Sequence, residues 1–341
     1  MSRLPAVLLG ICLFGFTGCS SIWAQAMAGR MTDSLLAMES YEGRLVQHGL
    51  LPDALQTPVV QEVRYARPWK FRAETVAPEA YQGSLFLYDG EQLVMWWPQE
   101  LMGVRVRGLK SPTRDEVAAH VRREMKHAMD HYAFALSQGE KVAGHAVSRW
   151  RVLPLADAPW RLHHTSWNYD AYALPLKMEF LKDGKPWYAF AFESLRFNVP
   201  VADDAFVFRF PDNAVVFEWD MQSAGISLEE ARRTMNFTVM QPRKLPSGHA
   251  LRKIVPARHC LPMLAMQFDQ GASVLTLTQS RAYGPTQLPR YGKQVKIGAH
   301  DGWLYFAGPY SVISWVNGRT ALTLTGNLSF PQMLAIAAQV E

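Results

Sequence analysis

Histidines, cysteines and paired carboxylates are where chemistry would have to sit in this chain, and their spacing supports little of it. His127 and His131 fall one turn apart on a predicted helix, a spacing that can hold a divalent metal. The residues between them are Ala128-Met129-Asp130, without the glutamate that a zinc-protease helix places after its first histidine, so a solvated helix face is the better reading. His163 and His164 are neighbours on a predicted strand and point to opposite faces, so they cannot chelate one ion together. Asp203-Asp204 precedes a strand-like run, and Asp89, Asp183 and Asp301 each precede a glycine; turn chemistry accounts for all of them. Arg72, on a strand beside an apolar face, either meets an acidic lipid or pairs with Glu74, and the pair is the better reading. No Gly-x-Ser-x-Gly elbow, phosphate-cradling glycine loop, Cys-x-x-Cys pair or catalytic cysteine setting occurs. The residues therefore point to a non-enzymatic protein, with no catalytic residue, metal or cofactor to assign.

Cysteine chemistry is concentrated at the start of the chain. Arg3 supplies a short positive region, Ala6 to Phe16 is an uncharged apolar run, and Thr17-Gly18-Cys19 follows. Such a run is too short to cross a bilayer, which takes roughly 20 apolar residues, and reads as the core of a signal peptide over residues 1–18. Phe16-Thr17-Gly18-Cys19 resembles the bacterial lipobox, whose cysteine is lipidated after cleavage, with Phe where Leu is usual. Cys19 is then a lipid anchor to the membrane, and Ser20 in place of Asp points to the outer membrane. The competing reading is an ordinary cut after Ala24-Gln25-Ala26. In the lipidated form Cys260 is an unpaired buried thiol; with a free Cys19, a Cys19–Cys260 disulfide is open to it in an oxidising compartment. Both readings export the chain to face the periplasm.

The elements that would position a site come next. With 341 residues, 49% of them hydrophobic and 19% charged, the chain is long enough for two domains and too apolar for disorder. Its formal charge of +5 is scattered, the densest group being Arg122, Arg123 and Lys126 on one predicted helix, which argues against a nucleic-acid partner. Residues 29–40 read as a short helix. Strands are expected over 43–48, 59–67, 69–76, 84–88 and 92–97, the last two joined at Asp89-Gly90. Ser111 and Pro112 open a predicted helix over 112–137, whose apolar stripe is Val117, Val121, Met125, Ala128, Tyr132 and Leu136. Further strands are expected over 147–155, 162–170, 176–181 and 187–197, with a closing strand at 206–210. Near residue 220 the pattern restarts. Ser227-Leu228-Glu229-Glu230 caps a helix, and three hairpin-like pairs follow, 264–268 with 274–278, 295–297 with 302–306, and 312–316 with 321–325. Ser329 caps a last helix over 331–340. The expected class is α+β: a curved antiparallel half-barrel sheet with helices on one face over residues 29–215, then a smaller α+β domain over 225–341.

Within the first unit, Tyr41-Glu42-Gly43, Tyr65-Ala66-Arg67-Pro68-Trp69-Lys70-Phe71-Arg72, Leu87-Tyr88-Asp89-Gly90 and the run from Phe197-Asn198-Val199-Pro200 to Pro211 resemble the lipoprotein-carrier family. Residues 30–215 carry that likeness, which implies a sheet lidded by helices around an apolar cavity for acyl chains. The second unit departs from the small single-domain carrier. The two-domain organisation resembles instead the periplasmic regulators of a sigma-E anti-sigma factor, and the second unit, with Leu245-Pro246-Ser247-Gly248-His249 and Gly326-Asn327-Leu328-Ser329, resembles a domain common in envelope proteins with anti-sigma-type contexts. The resemblance implies a lipid or lipoprotein acyl chain as ligand, and an inner-membrane anti-sigma factor as partner in the regulator reading. Trp69, Phe71, Phe86, Trp96, Phe180, Tyr188, Phe190 and Phe192 are the residues expected to line the cavity. Taken alone, such a set of rings either fills a core or leaves a cleft, and each CH₂ of an acyl chain buried in a cleft would gain about 0.8 kcal/mol.

Overall fold

The computed structural model describes residues 20–49, 57–109, 111–155, 163–182, 185–257, 262–268, 275–282, 293–307, 310–326, 328 and 330–341. Residues 1–19, and with them the signal-peptide reading and Cys19, lie outside that set, as do Cys260, Asp183-Gly184 and Ser329. Two sheets share the described chain without sharing a strand.

The larger sheet is curved and stays open. It is built from β1 (Ser40–His48), β2 (Val59–Ala66), β3 (Lys70–Ala77), β4 (Leu85–Tyr88), β5 (Leu93–Trp97), β6 (Met102–Arg107), β7 (Tyr132–Val142), β8 (His145–Pro154), β9 (His163–Tyr169), β10 (Leu174–Lys182), β11 (Lys185–Phe197) and β12 (Val215–Asp220). Their order across the sheet is β12-β6-β5-β4-β3-β2-β1-β11-β10-β9-β8-β7, so β12 and β7 are the free edges. Every pairing is antiparallel except β12 with β6. Sequential neighbours meander on either side of β1, and one long-range pairing, β1 with β11, joins the two halves.

Two helices, α1 (Ser20–Ala37) and α2 (Arg114–His131), pack together. Met31 and Leu35 of α1 meet Val117, Val121 and Met125 of α2, and Trp69 joins the same cluster from the sheet side. The start of α2 is fixed by a reciprocal cap. Thr113 Oγ1 accepts from the Glu116 backbone N–H at 3.3 Å, and the Glu116 carboxylate accepts from the Thr113 N–H at 2.8 Å, satisfying two of the helix's orphan donors. The cap is therefore Thr113, and Ser111 instead donates to the Gly90 carbonyl at 3.0 Å.

The helix expected over 112–137 is overturned at its C-terminal end. It stops at His131, Tyr132 turns extended (φ −135°), and Tyr132–Val142 is the edge strand β7 paired to β8. Tyr132 and Leu136 sit four apart, a spacing that is one face of a helix and also, being even, one face of a strand. Phe134 between them, alternating with Ala133 and Ala135, belongs to the strand period, and pairing with β8 decides the outcome. The closing strand expected at 206–210 is also overturned. Asp203–Phe206 is a 3-10 turn, and Phe208 and Phe210 lie against the sheet face instead of entering a ladder. Strands β6, β7, β12 and β13 (Lys253–Pro256) have no counterpart in the sequence pattern, and the first helix runs over 20–37 rather than 29–40.

The smaller sheet has the order β13-β14-β15-β19-β18-β17-β16, with β14 (Met263–Gln267), β15 (Leu275–Arg281), β16 (Lys293–Ile297), β17 (His300–Ala307), β18 (Tyr310–Asn317) and β19 (Thr320–Gly326). The three expected hairpin pairs are β14–β15, β16–β17 and β18–β19. The helices α3 (Leu228–Thr234) and α4 (Phe330–Ala337) accompany it, and Ala231, Met333, Leu334 and Ile336 share one core with Leu264, Leu277, Leu304 and Trp315. Ser227 Oγ caps α3 by accepting from Glu230 N–H at 3.0 Å. Strand β12 connects the two sheets: Phe217, Trp219 and Met221 pack with Val255 and Ala265, and Lys253 Nζ donates to the Met221 carbonyl at 2.9 Å.

Candidate functional site

Register fixes which side chains share a face of the large sheet. Tyr41 lies opposite Tyr65 and Phe197, Tyr65 opposite Phe71, Ala73 opposite Phe86, and Phe86 opposite Met95. On the other side of β1, Leu45 lies opposite Phe192, and Phe180 opposite Tyr188. Cross-strand partners project to the same side, so these residues define one inner face. Phe71, Phe86, Phe180, Tyr188 and Phe192 are buried on it within one cluster that also holds Met38, Tyr41, Leu45, Val63 and Tyr65, and Phe190 packs against that cluster half-buried. The rings contact one another: Phe71 meets Phe86 at 6.1 Å, Phe180 meets Tyr188 at 5.7 Å, and Tyr41 stacks on Tyr65 at 5.3 Å and meets Phe192 edge-on at 6.3 Å. Offset and edge-on pairs of this kind add a modest attraction beyond area burial.

Trp69 is set apart by its backbone. It occupies the turn before β3 at φ 68°, in the left-handed region that a bulky side chain rarely adopts. Its indole N–H donates to the Pro112 carbonyl at 3.2 Å, and its ring packs both on the helix pair and on the inner-face cluster. Trp69 thus ties the start of α2 to the sheet.

Trp96 does not join the other seven. Leu93 and Met95 of β5 turn inward, so Val94 and Trp96 turn outward, where Trp96 clusters with Leu85 and Leu87 under Phe208 and Phe210. Its ring lies 6.1 Å from Phe208 and 5.7 Å from Phe210. The outer seat exists because Gly103 has no side chain: a Cβ there would overlap the Phe210 ring. Arg105 sits over the same ring at 4.9 Å and pairs with Glu218 at 2.6 Å. Trp96 is therefore removed from the candidate site by strand alternation.

A buried polar row crosses the inner face, and the sequence reading missed it. Tyr188 donates its hydroxyl to Gln47 Oε1 at 2.8 Å, Gln47 Nε2 donates to Gln61 Oε1 at 2.7 Å, and Gln61 Nε2 donates to Thr75 Oγ1 at 3.4 Å. The four residues stand on four adjacent strands, β11, β1, β2 and β3, and all are buried. The available signal was parity. Gln47 shares the phase of Leu45, Gln61 that of Val59 and Val63, and Thr75 that of Phe71 and Ala73, so each is a polar residue in a core position.

No charged side chain is among the residues named on this face. Burial raises the Tyr188 hydroxyl well above its ordinary range and does the same to Tyr41, with Tyr65 adding to the shift at Tyr41. Charges lie on the outer face and rims. Arg72 pairs with Glu74 at 2.7 Å and donates to the Ala205 carbonyl, as the structural reading of that arginine requires. Lys70 donates to Asp203 at 2.6 Å, which lowers that carboxyl's pKa and anchors the 3-10 turn. His163 is exposed and His164 stacks on Phe180 at 5.3 Å, so the two do face opposite ways. The side chains of His127 and His131 lie outside the described residues. Among the described residues no group of three or more potential ligands could hold a metal, and no helix is long and apolar enough to cross a membrane.

Residues 89–209, from the β4–β5 turn through α2 to the segment over Trp96, match the sequence model of the MucB/RseB N-terminal domain family. No curated protein matches the sequence. Among solved structures, a crystal structure of MucB is similar over 94% of this chain and 98% of its own, at 13% identity and a TM-score of 0.48. The complex structure of Pseudomonas aeruginosa MucA/MucB is similar over 93% and 98%, at 14% identity and a TM-score of 0.47. A LolA superfamily protein from Nitrosomonas europaea is similar over 54% of this chain and 97% of its own, at 13% identity and a TM-score of 0.28. The chain is thus similar to the MucB/RseB N-terminal domain family over residues 89–209.

Proposed function

We propose that this chain is a non-enzymatic, exported envelope regulator of the MucB/RseB kind, which restrains or releases an inner-membrane anti-sigma factor according to whether an acyl chain occupies its larger sheet. The observation that carries the reading is the family match over residues 89–209, which falls on the sheet bearing the aromatic face. That face supplies what acyl sensing needs: Phe71, Phe86, Phe180, Tyr188, Phe190 and Phe192 on one side of a sheet, with no charge among them. The rings touch one another, so an acyl chain enters by parting them, starting at the half-buried Phe190 and Trp69. Burial then drives binding at about 0.8 kcal/mol per CH₂, less whatever it costs to separate the rings. Helices α1 and α2, tied to the sheet through Trp69, are the elements that such entry would shift, and a shift of packed helices is a signal that a protein partner can read.

Lipid anchorage through Cys19, with the outer membrane as its site, completes this reading and places the sensor among envelope lipids. Carriage of lipoproteins from one membrane to another is the second reading of the same face; it requires that bound lipid be handed on. Affinity capture from envelope extracts tests the first. The mature protein should retain a single-span anti-sigma protein, and excess acyl lipid should release it. Retention unaffected by lipid would reject the sensing reading, and capture of lipoproteins alone would favour carriage. Cys19→Ser should move the chain from the membrane fraction to the soluble one, and a variant that stays anchored would refute lipidation.

A further inference from the structure

The polar row on the inner face is hard to explain as core alone. A packing device for a hydrophobic sheet needs no amide, yet Gln47 and Gln61 stand 2% and 9% exposed among Leu45, Val59 and Val63, at positions where either could be leucine. Each amide nitrogen carries two N–H groups and gives one to the row: Gln47 to Gln61, and Gln61 to Thr75 over a long 3.4 Å. Each amide oxygen already accepts one bond, Gln47 Oε1 from the Tyr188 hydroxyl and Gln61 Oε1 from Gln47. Among the described residues, the second N–H of each glutamine and the Thr75 hydroxyl proton remain to donate. Those donors, set among apolar rings, can all be directed to the carbonyl oxygen of a ligand.

We propose that the Tyr188–Gln47–Gln61–Thr75 row recognises the carbonyl oxygen of an acyl ester or acyl amide, the chain of which lies along the neighbouring rings. The inference rests on the acyl-binding reading above and specifies which part of the ligand the polar row takes. The row gives the face a direction. It crosses β1 near its C-terminal end, since Gln47 lies opposite Val59 and Phe190, whereas Tyr41, Tyr65 and Phe71 stand toward the other end of the same strands. With its carbonyl on the row, an acyl chain extends toward Phe71 and Phe86 on one side of β1 or over Phe192 on the other. Tyr188 stays a neutral donor throughout, because its burial keeps the phenol from ionising. A bare hydrocarbon gains nothing from the row, and an ether oxygen, a weaker acceptor than an ester or amide carbonyl, gains less from its donors, which is the source of discrimination.

The test compares ligands that differ only at that oxygen. Purified protein is titrated with 1-lauroylglycerol, N-lauroylethanolamine and the ether 1-dodecylglycerol, each followed by displacement of an apolar fluorescent probe. At least one carbonyl ligand should bind about tenfold more tightly than the ether, the value of one hydrogen bond gained in a dry site. The ester and amide arms separate a glycerolipid source from the N-acylated end of a lipoprotein. Gln47→Leu with Gln61→Leu should abolish the preference while ether affinity holds or rises, with retention of the fold checked by near-ultraviolet circular dichroism. Thr75→Val, a smaller change, should reduce the preference on its own if the double variant fails to fold. Equal affinity of all three ligands for the unaltered protein overturns the carbonyl inference and leaves acyl binding standing. A preference that survives in folded variants overturns its assignment to this row. Failure of every ligand to bind overturns the acyl-binding reading itself.

Discussion

Replacing Trp69 tests whether one residue holds the helix pair to the sheet. Its ring packs against Val117 and Val121 on one side and the inner-face cluster on the other, and its N–H bonds the Pro112 carbonyl. A fully buried tryptophan cut to alanine costs about 3–5 kcal/mol; Trp69 is half-buried, so the packing share is about 2–3 kcal/mol. The lost indole hydrogen bond adds roughly 1 kcal/mol. Trp69→Ala should therefore destabilise the chain by about 3–4 kcal/mol, or around 6–16 °C in melting temperature at 2–4 °C per kcal/mol for a unit of this size. Backbone conformation makes the test sharper. At φ 68° a residue with a Cβ is strained by about 1–2 kcal/mol, and glycine is not. Glycine loses more entropy on folding, by about 0.4–1 kcal/mol, which leaves a net advantage of about 1 kcal/mol. Trp69→Gly should thus melt a few degrees above Trp69→Ala, although it removes more of the side chain. Calorimetry on both variants reads the order, and hydrogen exchange should show faster opening of α1 and α2 with the smaller sheet unchanged. The account is refuted if the glycine variant melts at or below the alanine variant, or if exchange rises in the smaller sheet instead.

Three further outcomes follow from the same geometry. Phe190→Asp places a charge on the half-buried rim of the aromatic face and should abolish capture of acyl lipid while the smaller sheet stays folded; native mass spectrometry with bound lipid retained would count against this placement. Gly43→Ala should cost about 2 kcal/mol or more, because the added Cβ would overlap the Ser194 carbonyl oxygen in the β1–β11 pair, and an unchanged denaturation midpoint would show that the pair opens freely there. His120 of α2 has its pKa lowered to about 4, first by burial and then by Arg123 and His249, and its buried Nδ1 finds no hydrogen-bond partner among the described residues. Since the unfolded chain binds this proton near pH 6.5 and the folded chain only near 4, stability is full above 6.5 and falls as pH drops through that window. His120→Gln should flatten the fall in melting temperature between about pH 7 and 4, and a slope identical to that of the unaltered chain would exclude His120 as its source.

The fold was legible wherever one local signal dominated. Asp89-Gly90 announced a hairpin, and in the structure Asp89 Oδ1 accepts from the backbone of both Glu91 and Gln92 at 2.9 Å. Asn317-Gly318 likewise joins β18 to β19. Legibility failed where two periods coincide. Tyr132 and Leu136 satisfy helix and strand alike, and the choice is made by pairing with Pro154 and Trp150, well beyond any short window around residue 132. Phe206, Phe208 and Phe210 alternate like a strand, yet alternation records only that one side is dry. Here the dry side is the outer surface over Trp96 and Gly103.

The candidate site shows the same limit more sharply, because a face is a property of register and not of one strand. Within β5 alone, Trp96 is as large as any ring and a natural choice for a cavity wall; opposite β4, its phase matches Leu85, not Phe86. The β1–β11 pair goes further. Strict alternation would assign even positions of β11 to one side and odd positions to the other, yet Tyr188, Phe190 and Phe192 share the inner face with Leu195 and Phe197. The register shift between Arg44 and Leu45 allows it: Leu195 lies opposite Gly43, and Phe192, three residues earlier, lies opposite Leu45, only two residues on. That single extra residue in β11 lets a strand of 13 residues present rings inward along its whole length. It also carries Tyr188 to the hydroxyl's partner on Gln47, so the polar row exists only because the ladder slips once. Gln47, Gln61 and Thr75 are visible in the sequence as polar residues in apolar phase, but their meeting in one row with Tyr188 depends on a bulge that has no signature of its own.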